Sequence, residues 1–144
     1  LAAPANVGFA RRSAIGVELS RLNMILAVLD RKAGISLISQ DVYVNVVGGL
    51  RLEGTSTDLA VAMAIYSAYR GVKSKSSTLA VGEIGLTGDL RTVQNVDKIV
   101  KESAKMGFTQ IIMPNKNAGK LTDVPKSIKV IGVKNLREAI GVLV

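Results

Sequence analysis

Apolar and polar positions follow two rhythms along this chain. Val42, Val44 and Val46 alternate with Tyr43, Asn45 and Val47, the two-residue period of a strand with a buried face. Gly48 and Gly49 end that strand, because paired glycines permit a sharp reversal. Leu22, Ile25, Leu26 and Leu29 recur at helical spacing and predict a helix over 21–32, with Ser20 as its N-cap and Gly34 past its end. Residues 59–69 (LAVAMAIYSAY) predict a second helix, small and apolar enough to be buried. A third covers 96–106. Val96, Ile99, Val100 and Ala104 form its inward stripe, Lys98, Lys101 and Lys105 lie outward, and Gly107 closes it.

Short apolar runs between these helices predict further strands. One lies at 6–9 within an Ala- and Gly-rich lead-in, and one at 35–38, positioned to form an antiparallel hairpin with 42–47. Others lie at 79–84, at 109–113 where Pro114 stops the run, and at 127–133. The last two are expected as parallel neighbours through a crossover. Loops are expected at 71–77, at 115–119 and at a turn on Thr87-Gly88-Asp89, and Asn135 should cap a terminal helix over 136–143. The pattern predicts one domain over 1–144 of α/β or α+β class, with a core long enough to stand alone.

Composition narrows the chemistry. Histidine and cysteine are both absent, which excludes Ser-His-Asp catalysis, thiol nucleophiles, disulfides and imidazole or thiolate metal sites within the chain. Nineteen Lys and Arg against eleven Asp and Glu leave a net charge of +8, which favours a polyanionic partner such as nucleic acid. Aromatic residues are only 3% of the chain, too few for a base-stacking surface. No apolar run reaches the roughly 18 residues that a membrane span needs, so no membrane partner is expected and the default location is cytoplasmic. Residues 1–5 lack the charged and apolar regions of a signal peptide, and with no initiating Met the chain is expected to be a piece of a longer protein.

Three stretches carry candidate chemistry. Glu53-Gly54-Thr55-Ser56-Thr57-Asp58 places three hydroxyls before the 59–69 helix. Ser56 there is either a nucleophile at a helix N-terminus, with a lysine as base, or part of an ordinary cap in which Thr55-x-x-Asp58 resembles a capping box. Lys98, Lys101 and Lys105, with Arg91, Lys73 and Lys75, are either a phosphate-tracking surface or a solvated face relieved by Glu102. The glycines of Gly82-x-x-Gly85-x-x-Gly88 lack the Gly-Lys-Ser/Thr of a nucleotide loop and serve turn geometry.

The segments QDVYVNVVGGLRL (40–52), SxDLAVAMAI (56–65), GEIGLTGDLR (82–91), KESAKMGF (101–108) and IIMPNKN (111–117) occur in an order and spacing that resembles a known family. That family is the Lon-protease-like C-terminal domain of the bacterial RadA (Sms) DNA repair proteins, and the likeness covers about residues 20–119. The resemblance implies the fold of the Lon proteolytic domain, related to the second domain of ribosomal protein S5. It implies a parent protein that forms a hexameric ring, with an upstream zinc finger and a RecA-like ATPase that bring zinc and ATP. Such a parent is an ATP-dependent DNA motor that drives branch migration in homologous recombination, with DNA and the RecA recombinase as partners. This domain would be its scaffold and DNA-binding element, needing no cofactor or metal of its own.

Carried over residue by residue, Ser56 matches the Lon nucleophile, but the proline before it and the glycine two residues after it are missing, the latter replaced by Asp58. The position matching the Lon lysine is Asp97, and Lys98 is one residue off, about 100° around a helix. The resemblance therefore implies a degenerate peptidase site with Ser56 and Lys98 as vestiges. A Ser-Lys peptidase using those two residues is the alternative, and a purely structural oligomerisation module is a third.

Overall fold

A computed structural model describes residues 1–4, 10–47 and 54–143. The expected strand at 6–9, the glycine pair at 48–49 and Glu53 lie outside them. The element order is β1 (Ala2–Pro4), β2 (Arg12–Ile15), α1 (Leu19–Lys32), β3 (Gln40–Asn45), α2 (Asp58–Arg70), β4 (Thr78–Ala80), β5 (Glu83–Ile84), β6 (Leu90–Arg91), α3 (Val96–Lys105), β7 (Gln110–Pro114), α4 (Asn115–Ala118), β8 (Lys129–Val133) and α5 (Leu136–Gly141). The fold is mixed α/β, as expected, with parallel and antiparallel pairing.

Two three-stranded sheets organise the molecule. The first has order β1-β3-β2, with β1 antiparallel and β2 parallel to β3. The second has order β4-β7-β8 and is parallel throughout, so the expected pairing of the last two long strands is present. β7 is apolar at nearly every position because both of its faces are covered. Its alternation splits the interior. Ile112 faces the main core with α1, α2 and α5, while Ile111 and Met113 pack with Val96, Val100 and Ile128 beneath α3. Full burial of each such aliphatic side chain is worth about 1.5–3 kcal/mol, so the α3 side of the sheet is a substantial second core.

Several local expectations are corrected. Residues 35–38 form no strand, although Ile35 and Leu37 are buried. Side chains satisfy this segment in place of a ladder. The Leu37 N–H donates to Asp30 Oδ2 at 3.3 Å, and the Arg12 guanidinium donates to the Leu37 carbonyl at 2.6 Å and to the Gln40 carbonyl. β3 consequently pairs with β1 and β2 and not with 35–38. α1 begins at Leu19, with Glu18 at its N-cap, so Ser20 sits inside the first turn. The run at 79–84 is two strands in two sheets. The ladder to β7 ends at Val81, whose N–H donates to the Ile112 carbonyl at 3.0 Å, and Gly82 then turns away. Residues 115–118 are a helical turn rather than a loop.

Other expectations hold. Asn135 caps α5, its Oδ1 accepting from the Glu138 N–H at 2.9 Å. Thr87-Gly88-Asp89 closes the β5–β6 hairpin, with Gly88 at φ +84°. Lys98, Lys101 and Lys105 are exposed on the outer face of α3. The inward stripe of α3 also includes Ser103, buried with its hydroxyl donating to the Ile99 carbonyl at 2.6 Å. Among the described residues, no helix is long and apolar enough to cross a membrane.

Candidate functional site

Two places hold the residues singled out by sequence: the corner where α2 begins, and the outer face of α3 with the loops at its ends.

The first turn of an α-helix has N–H groups without internal partners. At α2 these are answered by main chain from elsewhere. The Leu59 N–H donates to the Gly82 carbonyl at 3.1 Å, the Gly82 N–H donates to the Ser56 carbonyl at 2.9 Å, and the Asp58 N–H donates to the Thr55 carbonyl at 3.1 Å. The N-cap is Thr57, with no side-chain cap bond, so neither the Ser56 cap nor the Thr55–Asp58 capping box forms. The backbone of Gly82 has taken that role.

Asp58 is freed for a different task. It is 2% exposed, and its carboxylate accepts from the Arg21 Nε–H at 2.9 Å, from a second guanidinium N–H of Arg21, and from the Ile84 N–H at 3.1 Å. A buried carboxylate is tolerable only when it is paired and hydrogen-bonded, and three donors achieve that. The Asp58 hydrogen bond also raises the Arg21 pKa, so the guanidinium is held charged. The pair ties α1, α2 and β5 together. Beside it lies a cavity of about 450 Å³ lined by Glu18, Ser20, Arg21, Thr55, Thr57 and Asp58. Ser56 is not among its lining residues.

Lys98 belongs to the other place. It starts the outer face of α3 and pairs with Glu102 at 3.9 Å, and among the described residues no hydrogen bond joins it to Ser56. Asp97, the position matching the Lon lysine, accepts from the Thr122 N–H at 3.2 Å and from its hydroxyl. The helix start borders a groove of about 470 Å³ lined by Thr92, Asn95, Asp97, Lys98, Asn117 and Lys120. Buried Asn117 builds its floor. Its amide exchanges two bonds with the Val93 main chain, N–H to Oδ1 at 2.9 Å and Nδ2 to carbonyl at 3.0 Å.

The remaining basic residues sort by position. Lys101 and Lys105 are exposed and, among the described residues, have no carboxylate at ion-pair distance. Lys73 and Lys75 lie on the loop before β4, where the Ser77 carbonyl accepts from the Thr109 N–H at 2.9 Å. That bond ties the end of their loop to the segment between α3 and β7. The Lys129 N–H donates to the Thr109 carbonyl at 2.9 Å, but its register opposite Gln110 sets Lys129 on the sheet face of Ile112 and Ile131, away from α3. α3 thus carries a lysine band about 10 Å long, from Lys98 beside Lys120 in the groove to Lys105 in its last turn. Arg91 differs: its guanidinium stands 3.7 Å from both Glu83 and Asp89, and its charge is locally compensated. Sequence reasoning missed Lys120, which lines the groove at the start of α3 with Lys98, and it missed the Arg21–Asp58 pair. Among the described residues there is no group of three or more carboxylates, histidines or cysteines able to hold a metal ion.

Comparison with known proteins adds a family. The chain is 42% identical over 142 residues, 99% of its length, to the DNA repair protein RadA of Halalkalibacterium halodurans. It is 39% identical over 140 residues to the proteins of the same name from Streptococcus pneumoniae and Bacillus subtilis. It spans about a third of the length of these curated relatives, 31%, 33% and 30% respectively. The model of one family covers residues 7–117, well over half of the chain, and the chain belongs to that family, described as subunit ChlI of Mg-chelatase.

Proposed function

We propose that this chain is the non-catalytic, Lon-like domain of a RadA-type DNA repair protein, and that it holds DNA through the outer face of α3. The observation that carries the reading is the lysine band. Lys98, Lys101 and Lys105 stand exposed on one helix face, Lys120 lines the groove at its start, and the loop of Lys73 and Lys75 runs to Ser77, which is bonded to Thr109 beyond its end. The similarity to proteins named DNA repair protein RadA gives that band a polyanion to meet.

Such a surface reads phosphates and not bases. Lysine is a point charge on a flexible stem, suited to backbone contact. Few rings are available for stacking: among the described residues, Tyr43 is the exposed aromatic, and it lies on the first sheet, away from α3. Arg91, engaged by Glu83 and Asp89, acts at the margin of the band. The same domain serves as the oligomerisation scaffold of a ring in which ATP-driven branch migration takes place elsewhere in the parent protein. Asp58 locked by Arg21 and Asp97 at the lysine position support the absence of peptidase chemistry at Ser56.

Fluorescence anisotropy with a duplex oligonucleotide at several salt concentrations tests the reading. Affinity should fall steeply with salt and show little sequence preference. Equal binding before and after charge reversal of Lys98, Lys101 and Lys105 would overturn the assignment. A serine-reactive fluorophosphonate that labels the chain but not its Ser56→Ala variant would restore the peptidase.

A further inference from the structure

A second basic feature lies away from α3, where the end of α1, the β5–β6 turn and the start of α5 meet. A cleft of about 210 Å³ opens there, lined by Lys32, Thr87, Gly88, Asn135 and Arg137. Its two cations come from positions 105 residues apart, and Arg137 is steadied by an Nη2–H bond to the Lys32 carbonyl at 3.5 Å. That bond leaves the other guanidinium donors free. Among the described residues, neither Lys32 nor Arg137 has a carboxylate at ion-pair distance. The two acids nearby are engaged: Asp89 accepts from the Thr87 hydroxyl at 2.7 Å and stands 3.7 Å from Arg91, and Glu138 accepts from the Lys134 N–H at 3.0 Å.

The frame of the cleft is fixed. The Gly88 carbonyl accepts from the Leu136 N–H at 2.9 Å, and the Leu90 N–H donates to the Lys134 carbonyl at 3.2 Å. Gly88 is buried at φ +84°, and a Cβ there would stand 3.0 Å from the Lys32 Cγ. Only glycine lets the turn close so tightly on the lysine stem. Two uncompensated cations of unlike shape, one a fork and one a point charge, line a space of anion size together with the Asn135 amide. Mere dipole compensation at a helix end is the lesser alternative, and Arg70 illustrates it, its Nη2–H reaching the Gly34 carbonyl past α1 at 3.5 Å.

We propose that this cleft binds a phosphate group, with Lys32 and Arg137 as its charged ligands and the Asn135 side-chain amide N–H groups completing its donor set. The group is either a diester of a nucleic-acid backbone or a free phosphate monoester. The site is separate from the lysine band and stands whether or not that band holds DNA.

The test is a ¹H–¹⁵N NMR titration of the chain with inorganic phosphate, chloride holding ionic strength constant. Saturable shifts are expected at the amides of Thr87, Gly88 and Arg137, with α3 amides unmoved. Each substitution removes a charge-assisted hydrogen bond, so Lys32→Gln and Arg137→Gln should each weaken phosphate at least about tenfold. Shifts that are linear in phosphate, or that persist unchanged in the double variant, would overturn the site. If a variant fails to fold, the unmodified chain decides alone, since saturation at these amides supports the site and its absence refutes it. A duplex oligonucleotide that moves the same amides and is displaced by phosphate identifies the backbone as the source. Phosphate saturation without that competition identifies a free phosphate monoester. Loss of DNA binding on reversing the α3 lysines would leave the phosphate result intact, so the two readings fail separately.

Discussion

The corner at the start of α2 and the outer face of α3 are both polar surfaces at helices, yet they treat charge in opposite ways. At the corner, Asp58 is buried and meets three donors from α1 and β5, so its charge works inside the molecule. On α3, Lys101 and Lys105 have no carboxylate at ion-pair distance among the described residues, and Lys98 has only an exposed i,i+4 partner at 3.9 Å. A buried, saturated pair contributes to cohesion and is costly to break from one side. An exposed, unsaturated row contributes almost nothing to folding and remains available to a partner. The two proposed binding surfaces, α3 and the Lys32–Arg137 cleft, are of the uncompensated kind, and the serine corner is not.

The strongest way to break this contrast is Arg21→Met. It leaves Asp58 buried without its ion partner, and urea unfolding should show a loss of about 3–5 kcal/mol. The double variant Arg21→Met, Asp58→Leu should recover much of that loss, because no uncompensated charge remains. A loss below about 1 kcal/mol for the single variant would put the corner in the same class as the α3 surface.

Next comes the reversal Lys98→Glu, Lys101→Glu, Lys105→Glu. Stability should change by less than about 1 kcal/mol, while DNA affinity at low salt falls about a hundredfold and the salt slope of log K drops by roughly three. Unfolding of the triple variant would show that the face carries cohesion after all. Asn135→Ala removes the side-chain cap of α5 and should cost about 1 kcal/mol by thermal unfolding. It also opens one wall of the phosphate cleft, so a weakened phosphate titration should accompany it.

The smallest effect is at Asp89, whose carboxyl the Thr87 hydroxyl, with Arg91 beside it, holds below its ordinary pKa. A folded-state pKa lowered in this way contributes stability above the ordinary carboxylate range, and that contribution is lost as pH falls through the lowered value. Asp89→Asn should lower stability slightly at neutral pH, leave it unchanged at pH below the lowered pKa, and so flatten the acid limb of the stability profile. An identical acid limb in both chains would mean that the hairpin contact is not formed in solution.

Much of the fold was legible because its signals are local. The stripe of α3 repeats every three to four residues, β7 is apolar on both faces, Asn135 caps three residues ahead, and Gly88 marks its turn within three positions. These determined which elements exist and which lysines face water. The sites depended on partners far along the chain. Arg21 and Asp58 are 37 residues apart, Asp58 and Ile84 are 26 apart, and Arg137 meets Lys32 across 105. No periodicity encodes such pairs, and local cues pointed the wrong way: Thr55 and Ser56 had the composition of a cap, but the Gly82 main chain reached the helix first. Sequence alone determined that this is a basic, histidine-free α/β chain with a serine before a buried helix. Only the tertiary structure decided that the acid beside that serine is part of the scaffold, because burial with three donors is a property of packed neighbours and not of the residue itself.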